Sequence, residues 1–101
     1  MRLMVMFDLP VDTSEERRMY RKFRKELMNE GFLMMQYSVY VKVCVSKESA
    51  NFTEGRISSF LPKKGVVQTL MVTEKQYNSM KFLVGSKKND IRNTADRTVI
   101  I

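Results

Sequence analysis

Asp8 is the residue of this sequence best placed for metal chemistry, because it follows an unbroken apolar run in the N-terminal stretch MRLMVMFDLP. The run from Leu3 to Phe7 suits a strand covered on both faces. Pro10 lacks an N–H donor, so strand pairing is expected to stop by Leu9. Asp8 then lies at the end of a rigid strand. Two interpretations are open. Asp8 is either a turn or capping residue whose carboxylate is hydrated, or a metal ligand that the strand holds in place.

The absence of histidine restricts the chemistry further. It removes the usual base at neutral pH, the serine and cysteine triads built on that base, and most zinc sites. Carboxylates must therefore carry any catalysis. Cys44, the single cysteine, excludes an internal disulfide. It lies in an alternating apolar pattern, where we expect a small packing residue rather than a nucleophile.

A cluster of six cations lies in the first predicted helix, residues 14–30. Thr13 and Glu16 form a capping-box pattern at its start, and Gly31 supplies the stop. At about 100° per residue, one apolar stripe faces a sheet: Met19, Tyr20, Phe23 and Leu27. Two adjacent cationic rows lie on the other side: Arg17, Arg21 and Arg24, and then Arg18, Lys22 and Lys25. The remaining flank is acidic: Glu15, Glu26 and Glu30.

Two interpretations of these cations are open. They form either a solvated helix face, partly neutralised by ion pairs such as Lys22 with Glu26, or a surface that binds nucleic-acid phosphates. Arginine predominates in the cluster, and its planar guanidinium matches phosphate oxygens better than solubility alone requires. The whole chain has 18 Lys and Arg against 11 Asp and Glu, a net charge of +7 and a pI near 9.8. We therefore interpret the cluster as a phosphate-binding surface.

Residues 32–45 alternate as one long strand. The apolar parity is expected to face the core: Leu33, Met35, Tyr37, Val39, Val41, Val43 and Val45. The other parity carries a polar patch, made of Gln36, Ser38 and Tyr40, that faces solvent or a partner subunit. Residues 46–65 predict a weaker helix with Ile57, Phe60 and Leu61 on one face, which Pro62 and Gly65 end. Residues 65–73 predict a strand.

This order predicts an α+β fold: a ferredoxin-like βαββαβ sandwich, with an antiparallel sheet and both helices on one face. The hairpin that such a fold needs falls within residues 32–45, where no Asn-Gly or Gly pair marks it. We assign residues 1–85 to the domain and residues 86–101 to a polar linker and a C-terminal edge strand, TVII. That strand and the uncovered sheet face predict a homodimer.

No membrane partner is expected, since no apolar run reaches the roughly 18 to 20 residues of a membrane helix. The N-terminus lacks a small-residue cleavage site. With its single cysteine, the chain is expected to be cytoplasmic.

Several stretches together resemble the second universal CRISPR-associated protein family, and most closely its members found beside the single large effector nuclease. They are MVMFDLP, RRMYRKFRKEL, GFLMMQYSVY and VTEKQYNSMKFLVG, followed by the terminal TVII. The resemblance implies a ferredoxin-like homodimer that is a magnesium-dependent endoribonuclease or DNase. It also implies the central subunit of the spacer-acquisition complex, held between two dimers of the CRISPR integrase and holding protospacer duplex DNA.

In that family the aspartate that ends the first strand is the metal ligand, which implies a catalytic and metal-binding role for Asp8. A two-fold axis near the ends of the first strands would bring two Asp8 carboxylates into one cleft. Paired carboxylates suit Mg²⁺ or Mn²⁺, which polarises a phosphate and lowers the pKa of an attacking water. Asp12 is a nearby auxiliary, although we interpret it as a residue of the helix start.

The main prediction is thus a DNA-holding subunit whose six helix cations, from Arg17 to Lys25, bind phosphates, with single-stranded RNA as a further ligand. The alternative is a stand-alone, toxin-like endoribonuclease of the same fold. An RNA-recognition module is disfavoured, because VYVKVCV offers a single aromatic residue, Tyr40. Residues 86–101 are the expected contact with the integrase.

Overall fold

The computed structural model describes residues 1–85, which form a four-stranded antiparallel sheet with helices. The strands are β1 (Arg2–Asp8), β2 (Leu33–Gln36), β3 (Val39–Val43) and β4 (Val66–Val72). The helices are α1 (Ser14–Asn29), α2 (Lys47–Ile57), which a 3₁₀ turn at Ser58–Phe60 follows, and α3 (Glu74–Asn78). The spatial order β2-β3-β1-β4, antiparallel throughout, confirms the predicted ferredoxin-like α+β fold. The linker and terminal strand assigned to residues 86–101 lie outside the described residues.

The core lies between the helices and one face of the sheet. From β1, Leu3, Val5 and Phe7 are buried there. The stripe of α1 meets them: Phe23 and Leu27 are buried, and the Phe7 and Phe23 rings meet edge to face at 5.1 Å. The predicted capping box of α1 is present, and it satisfies backbone N–H groups that the first helical turn leaves unpaired.

The prediction of one long strand over residues 32–45 is wrong, because the chain reverses between β2 and β3 at Tyr37 and Ser38. Ser38 adopts a φ of +63°, a left-handed conformation that sequence patterns associate with Gly or Asn. The reversed backbone is tied to β1, since the N–H of Phe7 donates to the Ser38 carbonyl over 3.1 Å. A serine in this position gave no recognisable turn signal.

The predicted buried parity of this stretch is also wrong. Phe32, Tyr40 and Cys44 are buried against the helices. Four residues of the expected core parity are more than 60% exposed: Leu33, Tyr37, Val43 and Val45. The register explains this result, because Tyr40 lies opposite Val5, whose side chain points to the helices. Tyr40 is therefore a core residue and belongs to no solvent or partner-facing patch.

The weaker helical segment is present but shorter than predicted. Ser46 caps α2, and helical structure ends with the 3₁₀ turn at Ser58–Phe60. Ile57 is buried and Phe60 packs on the core, whereas Leu61 is largely exposed, contrary to the predicted face. Cys44 is a free, buried packing residue. No helix within residues 1–85 combines the length and apolar character that crossing a bilayer requires.

Candidate metal and nucleic-acid site

Asp8 lies where its sequence position predicts, exposed at the last residue of β1. Side chains alternate along a strand, so Asp8 shares a face with Met4 and Met6 and points away from the helices. Its partner on the neighbouring strand is Val66 in β4. The carboxylate thus belongs to the sheet face opposite α1 and α2, and α3 contacts the other end of this face, where Arg2 lies against Glu74 and Tyr77.

Gly65 holds the segment before β4 against the backbone of Asp8. Its φ is +91°, and a Cβ built on it would lie 2.5 Å from the Asp8 carbonyl oxygen and 2.8 Å from Leu9 Cδ2. Only glycine combines this conformation with so close an approach. The sequence pattern indicated merely a helix stop at Gly65, so this role in positioning Asp8 was missed.

Two further cations that sequence reasoning missed lie at this end of the sheet. Lys63 and Lys64 directly precede Gly65, and both are exposed. Lys64 Nζ is 3.8 Å from a carboxylate oxygen of Glu16, a distance typical of a weak surface ion pair. The signal was available as two lysines before the glycine, but only the antiparallel pairing of β4 with β1 brings them near Asp8.

A single chain offers few ligands for a metal ion near Asp8. Among residues 1–85, no group of three or more acidic, histidine or cysteine side chains is arranged to hold one. Asp12 serves the helix start: its N–H donates to Glu16 Oε1 over 2.9 Å. Backbone hydrogen bonding, first from Thr13 and then from Asp12, lowers the pKa of Glu16, which stays ionised in the cap. Asp8 is an exposed carboxylate, a hard-oxygen group of the kind that Mg²⁺ and Mn²⁺ prefer.

The six predicted phosphate-binding cations divide into two groups. Three of them already have partners. Arg17 Nη1 donates to the carbonyls of Val11 and Asp12 at 3.2 and 3.1 Å. Arg18 Nη2 pairs with a Glu15 oxygen at 2.9 Å, and Arg24 Nε donates to the Tyr40 hydroxyl at 2.7 Å.

The other three cations, Arg21, Lys22 and Lys25, are exposed, and within residues 1–85 they form no ion pair. The pair of Lys22 with Glu26, which would have reduced the cluster to a solvated face, is not formed among the described residues. The surface of α1 therefore presents five cations without a carboxylate partner among residues 1–85, since the partners of Arg17 and Arg24 are uncharged oxygens.

The sequence model of the family described as CRISPR associated protein Cas2 matches residues 1–80. This chain belongs to the Cas2 family. Two curated Cas2 relatives match it over their whole length and all 101 residues, at 69% identity in Ligilactobacillus salivarius and 65% in Lacticaseibacillus rhamnosus. A third, from Streptococcus mutans, is 45% identical over all of this chain and 93% of its own. All three bear the name CRISPR-associated endoribonuclease Cas2.

A solved Cas2 structure agrees with the fold of this family member. The crystal structure of Streptococcus pyogenes Cas2 at pH 6.5 superposes with a TM-score of 0.63 at 18% sequence identity. It covers 83% of this chain and 100% of the crystallised one. At that identity the similarity concerns the Cas2 fold alone.

Proposed function

We propose that this Cas2-family chain is a homodimeric nucleic-acid-binding subunit of the CRISPR adaptation complex, which holds protospacer duplex DNA between two dimers of the integrase. The observation that carries the proposal is the exposed cationic surface of α1. Arg21, Lys22 and Lys25 have no carboxylate partner among the described residues, so phosphates can replace their solvent counterions. Such binding is strong at low salt and nearly independent of base sequence.

Changing Arg21 and Lys25 together to alanine is expected to weaken duplex binding at least about tenfold. The slope of log affinity against log salt should fall by roughly 2 for each α1 helix of the homodimer that contacts the duplex. For each phosphate contact that is lost, binding of the protein releases about one counterion fewer from the DNA. The measurement is fluorescence anisotropy with a labelled duplex over a series of salt concentrations.

The matched control removes two exposed lysines elsewhere, Lys47 in α2 and Lys75 in α3. It changes the net charge equally, so the long-range attraction falls equally while the slope stays near that of the wild type. Equal slopes for the two double variants would contradict a binding surface on α1, since only the total charge would then matter.

The sheet face opposite α1 and α2 supports the homodimer. One row of apolar side chains crosses all four strands, since Met4 lies opposite Val41 and Leu70, and Val41 lies opposite Leu33. The two ends of the row are exposed, Leu33 by 62% and Leu70 by 52%. We propose that a second copy of this chain packs on this face. The same face carries Asp8, so pairing two such faces brings two Asp8 carboxylates toward one cleft.

Changing Leu33 and Leu70 to glutamine is expected to weaken self-association by at least about a hundredfold, since each copy loses two leucines that the proposed interface would bury. Sedimentation equilibrium measures this directly. Phe52→Gln in α2 is the control, because Phe52 is 68% exposed on the helical layer and its change should leave the dimer intact. A double variant that remains dimeric at wild-type concentrations excludes this face as the interface.

We propose that the dimer also cleaves phosphodiester bonds, in keeping with the name endoribonuclease given to its relatives. Two Asp8 carboxylates would hold Mg²⁺ or Mn²⁺, which supplies Lewis acidity and an activated water. Lys63, Lys64 and the α1 cations orient the phosphates. Co-purification with the integrase distinguishes the adaptation subunit from a stand-alone, toxin-like endoribonuclease, which would act without it.

A further inference from the structure

Tyr37 is an exposed aromatic side chain that the proposed function leaves unused. It occupies the tip of the β2–β3 hairpin and is 73% exposed. Its ring lies nearly parallel to that of Tyr20 on α1, with an interplanar angle of 23° and centroids 6.0 Å apart. One side of the ring is thus supported by a neighbour, while most of its surface faces solvent.

The tip is held firmly by contacts on both sides. The Tyr20 hydroxyl lies 3.2 Å from Ser38 Oγ, and the Tyr20 ring contacts that of Phe7 with centroids 5.8 Å apart. The Ser38 carbonyl accepts a hydrogen bond from the Phe7 N–H. Because Phe7 immediately precedes Asp8, these contacts fix the position of Tyr37 relative to the candidate metal ligand.

Two arginines on α1 flank Tyr20, the residue on which the Tyr37 ring stacks. Arg24 and Arg17 follow and precede Tyr20 by four and three residues, so they are its neighbours on the surface of α1. Arg24 uses Nε to bond Tyr40, and among residues 1–85 no carboxylate pairs with its guanidinium. Its outer N–H groups therefore remain able to contact a phosphate.

The Tyr37 phenol is neutral at physiological pH. Interaction with Tyr20, first by hydrogen bonding and then by charge, raises the pKa of Tyr37, although the charge of Arg24 opposes the rise. A neutral ring beside arginines does not repel a polyanion. An exposed, supported ring beside phosphate-binding groups is the combination that binds single-stranded nucleic acid through stacking.

We propose that Tyr37 is a stacking platform for an unpaired nucleobase, with Arg24 contacting the phosphate of the same nucleotide. The inference rests on the proposed nucleic-acid binding and deepens it, because it adds a subsite for unpaired nucleotides next to the Asp8 end of the sheet. A duplex hides the faces of its bases within the stack, so the platform acts on single strands and on the unpaired ends of duplexes.

Changing Tyr37 to leucine is expected to weaken binding of a single strand of about twelve nucleotides roughly tenfold. The salt slope should not change, because an uncharged ring displaces no counterion. Affinity for a blunt duplex should stay at the wild-type value. Tyr37→Phe is the matched control, and it should bind single strands as the wild type does because it keeps the ring. A 2-aminopurine base in the strand reports stacking directly, through quenching that Tyr37→Leu reduces and Tyr37→Phe retains.

Three results would overturn the inference: unchanged single-strand affinity in Tyr37→Leu, equal losses for single strand and duplex, or an altered oligomeric state that accounts for the loss. A second measurement avoids substitution altogether. A single strand carrying 5-iodouracil, irradiated with the wild-type protein, should crosslink to Tyr37, and a crosslink confined to other residues contradicts the platform. Wild-type protein that binds neither ligand overturns the proposed function as well, whereas intact duplex binding with no Tyr37 effect overturns this inference alone.

Discussion

The Asp8→Asn variant is expected to lose metal-dependent cleavage of single-stranded RNA and duplex DNA by at least about a hundredfold, since metal catalysis contributes several kcal/mol. Asparagine keeps the shape of the side chain but removes the charge that holds a hard cation. Because Asp8 is exposed at a strand end, the fold should be unaffected. The measurement compares cleavage and binding by wild type and variant, with Mg²⁺ and with a chelator.

Asp12→Asn is the matched control for this experiment. It removes the same charge four residues away, and the backbone N–H and carbonyl of Asp12, which the substitution retains, make its contacts with Glu16 and Arg17. Its cleavage rate should be that of the wild type. If both variants cleave at the wild-type rate, Asp8 is a turn residue and not a metal ligand. If the wild type itself does not cleave while both proteins bind duplex alike, the chain is a scaffold without nuclease chemistry.

Gly65→Ala is expected to lower the free energy of unfolding by about 3 kcal/mol. The added Cβ meets the Asp8 carbonyl oxygen at 2.5 Å, and a left-handed φ of +91° strains any residue other than glycine. Urea denaturation at one fixed protein concentration measures the change, because self-association contributes to apparent stability. The backbone of Asp8 must shift to accept the methyl group, so cleavage should fall in the protein that remains folded.

Gly55→Ala is the control for the same chemical change. Gly55 lies within α2, and a Cβ there would have no atom within 4 Å. Alanine should therefore stabilise the protein by about 0.5 to 1 kcal/mol, because glycine loses more backbone freedom in a helix. A Gly65→Ala protein as stable as the Gly55→Ala protein would mean that the close approach to Asp8 does not exist in solution.

The features that were predicted correctly rest on interactions between residues close in sequence. The β1 strand follows from an unbroken apolar run that ends before Pro10. The start of α1 follows from the reciprocal bonds of Thr13 and Glu16, and its buried face from a 3.6-residue repeat. Asp8 could be located for the same reason, since the ends of a strand are visible in a local pattern.

What only the tertiary structure decided concerns the choice between two faces and the contacts between distant segments. Both parities of residues 32–45 carry large apolar side chains, and the helices settle the choice by covering the face of β1 that bears Val5. The close approach of Gly65 to Asp8 joins residues 57 positions apart. The hydrogen bond that Arg24 donates to the Tyr40 hydroxyl joins residues 16 positions apart. The sequence by itself determined which local elements form and where Asp8 and the cations lie on them. Packing decided which side chains became core and which remained available to a ligand, because burial depends on what covers a face and not on the pattern within it.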